Sequence, residues 1–193
     1  MVADVQGKTV AILATNGFEQ SELLEPRQAL EDAGIHTQIV ALEGGTIRGW
    51  KEENWGEYVS VDITAAEANP DSYDALLLPG GVMSPDKLRR DADVQKFVRA
   101  FFDAGKPIAA ICHGPWTLID AGVVQGRKLT SYHSIQTDLK NAGADWVDEE
   151  VVVDRGLVTS RKPSDLDAFI GKTIEEIAEG PHVAKTQRAT TGH

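Results

Sequence analysis

Three short, nearly unbroken apolar runs constrain the fold of this chain more than any other feature: Thr9-Val-Ala-Ile-Leu-Ala14, Tyr73-Asp-Ala-Leu-Leu-Leu78 and Lys106-Pro-Ile-Ala-Ala-Ile111. A strand with one wet face alternates apolar and polar residues. A continuous run needs cover on both faces, as in a parallel sheet between helices. Helical segments fall between the runs. Gln20 to Ala33 is closed by Gly34, and Asp93 to Ala104 by Gly105, with Phe97, Val98, Phe101 and Phe102 directed inward. Trp116 to Gly122, Ser134 to Ala142 and Asp165 to Glu179 complete the helical set. A further strand is expected at Gln38–Leu42, and two more at Val147–Val153 and Gly156–Ser160 around the turn Asp154-Arg155-Gly156. Residues 43–63 read as a β-hairpin or irregular insertion. The alternation predicts an α/β fold with a mostly parallel sheet covered on both faces. Ligands on such sheets bind outside the carboxyl ends of the strands. The loops 15–20, 79–86 and 112–116 converge at that edge.

At 193 residues the chain is expected to form one domain, residues 1–180, followed by a polar tail at 181–193. A formal net charge of −11 argues against nucleic acid and anionic membrane surfaces as partners. One cysteine leaves no intrachain disulfide framework and suits a reducing cytoplasm. No apolar run approaches the roughly 20 residues of a membrane span, and the N-terminus lacks a signal-peptide pattern.

That cysteine, Cys112, lies where the third apolar run meets a helix, in Cys112-His113-Gly114-Pro115. Pro115 suits the first turn of a helix, and Gly114 permits a tight turn and close approach of a ligand. A lone cysteine is often an inert core residue. A cysteine at a strand-to-helix turn is instead raised toward the crevice, with helix-start N–H groups beside it. That setting predicts a thiol titrating well below its free value of about 8.5. The serine counterpart is the nucleophile elbow of hydrolases. Gly80 and Gly81 end the second run and supply a candidate oxyanion site, with the N–H groups of Gly81 and His113 as donors. Glu19 is the expected carboxyl neighbour of the sulfur, kept protonated by partial burial. His113 is the natural general base, with Asp86 as the acid that orients it. His133 is placed at the rim of the crevice. No pair of histidines has metal-ligand spacing, and neither metal nor cofactor is expected.

Gly-Phe-Glu-Gln-Ser-Glu (17–22), Leu-Leu-Leu-Pro-Gly-Gly (76–81), Ala-Ile-Cys-His-Gly-Pro (110–115) and Leu-Thr-Ser-Tyr (129–132) resemble the DJ-1/PfpI family. The stretch 141–154 is similar to the branch of PfpI-type intracellular proteases and general stress proteins. The resemblance covers roughly residues 7–178. It implies a flavodoxin-like three-layer sandwich related to class I glutamine amidotransferases. It also implies Cys112 as nucleophile, Glu19 as its carboxyl partner and His113 as base. The orienting acid would come from a neighbouring subunit at Asp86, where the family usually has glutamate. A homo-oligomer, a dimer at least, follows.

The expected function is a cytoplasmic stress-protection enzyme acting on glycated or dicarbonyl-modified amines, with peptides as further substrates. The alternative is a redox sensor or chaperone working through oxidation of Cys112. A glutamine amidotransferase is disfavoured, because the late strand that would carry its histidine reads Ser160-Arg161-Lys162-Pro163.

Overall fold

The computed structural model describes residues 4–182. Most of the expected tail, from residue 183 on, lies outside the described residues. In chain order the elements are β1 (Thr9–Leu13), β2 (Phe18–Glu19), α1 (Gln20–Asp32), β3 (His36–Ala41), β4 (Thr46–Lys51), β5 (Asn54–Ser60) and β6 (Ile63–Thr64). Next come β7 (Ala75–Leu78), α2 (Met83–Leu88), α3 (Ala92–Asp103), β8 (Ile108–Ile111), α4 (Pro115–Asp120) and β9 (Lys128–Leu129). The chain continues through α5 (Gln136–Asn141), β10 (Asp145–Trp146), β11 (Val151–Asp154), β12 (Leu157–Ser160) and α6 (Leu166–Glu179).

Seven strands form the central sheet in the order β11-β12-β8-β7-β1-β3-β6. All neighbours are parallel except β11 and β12, which form an antiparallel edge hairpin. Its turn is Arg155-Gly156, both with positive φ (48° and 84°), the mirror-image geometry that matches strand twist. Residues 43–63 resolve into the β4–β5 hairpin, which joins β2 in a separate three-stranded sheet.

The apolar runs divide by side-chain parity. Ala11, Leu13, Leu76, Leu78, Ile108 and Ala110 face α3, α4 and α5 in one core. Val10, Ile12, Ala75, Leu77, Ala109 and Ile111 face α1 and α6 in the other. Two buried faces explain why the runs are unbroken. The α3 stripe behaves as its spacing predicts, with Val94, Phe97, Val98 and Phe101 buried and Phe102 at the margin. Helix α2 was not expected as a separate element. Its single buried face, Ser84, Pro85 and Leu88, is too short to show a helical period.

At the carboxyl end of β8 the alternation breaks. Ile111 and Cys112 both join the α1–α6 core, although consecutive strand residues point to opposite faces. Cys112 has φ 62° and Gly114 has φ −50°, so the cysteine itself, and not the glycine, takes the left-handed turn. Gly114 is needed for space. A Cβ there would lie 2.5 Å from the Leu78 carbonyl oxygen and 2.9 Å from that of Ile111. Both are backbone atoms of the central sheet and cannot swing aside. Gly114→Ala is therefore expected to lower stability by about 2–3 kcal/mol through overcrowding. The check is urea unfolding, with a lower midpoint and an unchanged slope; an unchanged midpoint would contradict this packing.

Candidate active site

The site is built on the elbow after β8. The Cys112 N–H donates to the Ser160 carbonyl at 3.0 Å, and its own carbonyl accepts from Tyr132 N–H at 2.9 Å. The Gly114 N–H closes the turn onto Ile111 O at 2.9 Å. A non-glycine residue held in such a conformation costs on the order of 1–3 kcal/mol, which flanking structure must offset. Here β12 on one side and the segment after β9 on the other supply that hold. The N–H groups of Gly81 and His113 are directed at the sulfur.

Gly81 has φ 81°, and a Cβ on it would meet Gly17 O at 2.5 Å and Glu19 N at 2.6 Å. Gly80 is as constrained: a Cβ there would lie 2.5 Å from Glu22 Oε1 and 2.7 Å from Cys112 Cβ. Its N–H donates to Glu22 Oε1 at 3.0 Å. Of the two glycines, only Gly81 turns its donor to the sulfur. Gly114 spends its N–H within the elbow, so it shapes the turn without facing a ligand.

The carboxyl seated against Cys112 and Gly80 is that of Glu22, where the sequence reading pointed to Glu19. Glu22 is fully buried on the stripe of α1 that also carries Leu23, Pro26 and Leu30. Glu19 precedes the helix in extended conformation, with its backbone N–H bonded to Gly80 O. Its side chain is half-buried, and burial raises its pKa. Both acids lie in the segment 17–22, but Glu19 precedes the helix in extended backbone whereas Glu22 lies on the buried face of its first turn. The buried stripe was the available signal.

Burial, then the charge of Glu19, pushes the Glu22 pKa up to about 8, against the Gly80 N–H and the Cys112 thiol, which pull it down. Glu22 therefore holds a proton at neutral pH. Its Oε2 is buried and has no hydrogen-bond partner of its own among the described residues. The thiol also departs from the expected direction. Burial, followed by the negative charges of Glu22 and Glu19, raises the Cys112 pKa, while the two N–H groups oppose the rise. The helix start is outweighed because Cys112 is only 7% exposed. The repulsion from Glu22 operates only once that carboxyl has ionised; below about pH 8 the sulfur faces a neutral acid.

The Cys112 sulfur lies 3.2 Å from Nδ1 of His113. Neighbouring residues of a regular strand point apart, and the left-handed turn at Cys112 is what brings these two together. The other ring nitrogen, Nε2, is 3.1 Å from Ser134 Oγ. The His113 ring also stacks on Tyr132 at 4.9 Å and meets Trp116 edge-on at 5.1 Å. Burial and then the neighbouring His133 lower the His113 pKa, which keeps the ring neutral at pH 7. With Nε2–H donating to Ser134, Nδ1 is free to take a proton from the thiol. Ser134 and the two rings were not singled out from sequence, since nothing in the spacing between residues 113 and 134 marks them as neighbours. His133 is exposed beside Tyr132, with ring centroids 4.4 Å apart. Asp86 is exposed on α2 and makes no hydrogen bond to His113 within the chain.

The DJ-1/PfpI family model matches residues 8–176. The chain belongs to the DJ-1/PfpI family. Among its DJ-1/PfpI relatives it is 44% identical over 166 residues to the deglycase PfpI of Pyrococcus furiosus, covering 86% of this chain and 97% of that one. It is 45% identical, with the same coverage, to a deglycase of Pyrococcus horikoshii. The solved structure of Drosophila melanogaster DJ-1beta superposes with a TM-score of 0.80 at 31% identity, over 89% of this chain and 90% of that chain.

Two outcomes follow from the charge state of this DJ-1/PfpI site. In the unfolded chain Glu22 loses its proton near 4.5, whereas the folded site keeps it to about 8. The native state thus binds the extra proton between these values, so stability falls as pH rises through that window and the loss levels off above it. The raised thiol pKa extends the decline above about 8.5. Glu22→Gln is expected to remove the first part, on the order of a few kcal/mol, in urea unfolding compared at about pH 5 and about pH 8. A wild-type slope retained in the variant would contradict the protonated carboxyl. In iodoacetamide alkylation of Cys112, Glu22→Gln is expected to match wild type near pH 7 and to react faster near pH 9. Equal rates at both pH values would show that no charge develops beside the sulfur.

Proposed function

We propose that this chain is a cysteine-dependent enzyme that removes dicarbonyl adducts from amines, a deglycase-type reaction. The observation that carries the reading is the Cys112 sulfur 3.2 Å from a neutral His113 Nδ1, between two backbone N–H donors. The near full-length similarity to two proteins named as deglycases supports it. On a hemiaminal adduct, the Cys112 sulfur attacks the carbon that carries both nitrogen and hydroxyl. The thiol proton passes to His113 Nδ1 and from there to the departing nitrogen, so a neutral amine leaves and a hemithioacetal remains. Transfer of that carbon's proton to the adjacent carbonyl side converts it to a thioester of a 2-hydroxy acid, with no external oxidant. Water then releases the acid and restores the thiol. The N–H groups of Gly81 and His113 hold the oxyanion formed during thioester hydrolysis; such donors contribute about 3 kcal/mol each. The neutral Glu22 carboxyl offers a donor rather than a repelling charge.

Burial of the sulfur favours small carbonyl compounds over folded peptides. The same burial and the raised thiol pKa weigh against a sensor that works by ready oxidation, since oxidation follows thiolate character and exposure. The reading extends to assembly. Asp86 is exposed on the helix that follows Gly81, and a homodimer, or larger homo-oligomer, would let it orient His113 of the neighbouring subunit. Mixed Asp86→Ala and Cys112→Ala proteins are then expected to regain activity on subunit exchange. If Asp86 acts within its own chain, every site that keeps its cysteine still lacks the acid, and no activity returns.

The direct test is release of free amine from methylglyoxal-treated amino acids, with peptides as controls. Cys112→Ser is expected to abolish turnover with the fold intact, and Ser134→Ala to reduce it by about 10-fold through loss of ring orientation. The rate is expected to rise with pH as His113 loses its proton, below about 6.5, and to fall as Glu22 ionises near 8. Full turnover by Cys112→Ser would overturn the assignment.

A further inference from the structure

At the opposite end of the sheet from Cys112, the C-terminus of α6 brings three potential ligands together. Glu176 and Glu179, three residues apart, share one face of the helix. Gly180, with φ 80°, ends the helix, and the chain folds back so that His182 N–H donates to Gly105 O at 2.7 Å. The His182 ring packs over Gly156, where a Cβ would lie 3.0 Å from its Cδ2. Backbone anchor and ring contact hold the imidazole before any ion arrives. His182 Nε2 is 2.9 Å from Glu176 Oε2 and 3.8 Å from Glu179 Oε2, and the three ligand atoms all lie within 4.8 Å of one another.

We propose that Glu176, Glu179 and His182 bind a divalent transition-metal ion of the zinc type. Two ligands on a tetrahedral zinc, with bonds of about 2.0–2.1 Å, sit about 3.3 Å apart. The separations of 2.9 and 3.8 Å lie on either side of that value and need only small side-chain adjustments. The Glu176 side chain is only 8% exposed, and among the described residues its hydrogen-bond partner is the His182 imidazole, charged only when protonated. A buried carboxylate whose hydrogen-bonded partner is an imidazole gains from a bound cation, with Lys172 contributing only from the exposed side of the helix. The carbonyl end of α6 adds attraction of the same sign. One nitrogen and two oxygen donors suit zinc, cobalt or nickel better than calcium or magnesium, which prefer all-oxygen sets. His182 also borders a cavity of about 510 Å³ that includes Ile108, Arg127 and Leu157. The cavity leaves room for water or a small anion to complete the coordination.

The experiment titrates zinc into untagged full-length protein carrying Cys112→Ser, so that the thiol cannot bind the metal, in competition with a chromophoric chelator. One zinc per chain is expected. His182→Ala and Glu179→Gln are each expected to weaken binding more than about tenfold. The Glu179 side chain is 63% exposed, so that variant tests the ligand without disturbing the core. No zinc bound by the Cys112→Ser protein, or affinity unchanged in both variants, would overturn the proposal.

Discussion

The left-handed turn at Cys112 is the constraint on which the site depends. It abolishes the strand alternation at one residue and carries the sulfur to the α1 side of the sheet. There it faces the Glu22 carboxyl, and the same turn lets His113 reach back to the sulfur it follows in sequence. The strained conformation persists because its backbone groups are bonded to two different elements, the end of β12 and the segment after β9. Gly80, Gly81 and Gly114 lack side chains because a Cβ at each would enter space already filled by this arrangement. The glycines of the two motifs thus answer to one packing problem.

The second theme is the economy of charge. The site is buried, and burial favours the neutral forms of its acid, thiol and imidazole. Glu22 keeps a proton, the thiol is pushed up, and His113 is pushed down. In the proposed reaction a neutral Cys–His pair would transfer its proton as the developing charge meets donors, and the two N–H groups at the sulfur fit that role. Among the described residues no carboxylate stands behind His113; a serine hydroxyl and two aromatic rings hold it instead. A hydroxyl orients the ring without adding charge to a poorly solvated site. A carboxylate contributed by another subunit would strengthen the base further.

Much of the fold was legible in the sequence because parallel strands buried on both faces leave unbroken apolar runs, and the helices between them end at glycines. The Arg155-Gly156 turn was also marked by its composition, while residues 43–63 left a β-hairpin and an irregular insertion both open. The short pieces β2, β6, β9, β10 and α2 were not legible: each of those strands has two residues, and α2 buries only one short face. At the site, Cys112, His113 and the two glycine motifs were visible as a local pattern. Glu19 was read in place of Glu22 because the two acids lie three residues apart in one motif, and only the buried face of the first turn of α1 singles out Glu22. Ser134 was missed because it reaches His113 through tertiary packing. The expected low thiol pKa failed on burial: a strand-to-helix turn suggests exposure, whereas here the elbow is sunk beneath its neighbours.

The central claim is that Cys112 works beside a protonated carboxyl. Infrared difference spectroscopy tests it directly, comparing wild type with Glu22→Gln across pH. A carboxylic-acid carbonyl band, absent from the variant, is predicted at neutral pH and should vanish on titration through about pH 8. A Glu22 that is already ionised at pH 6, with only carboxylate bands, would contradict the account.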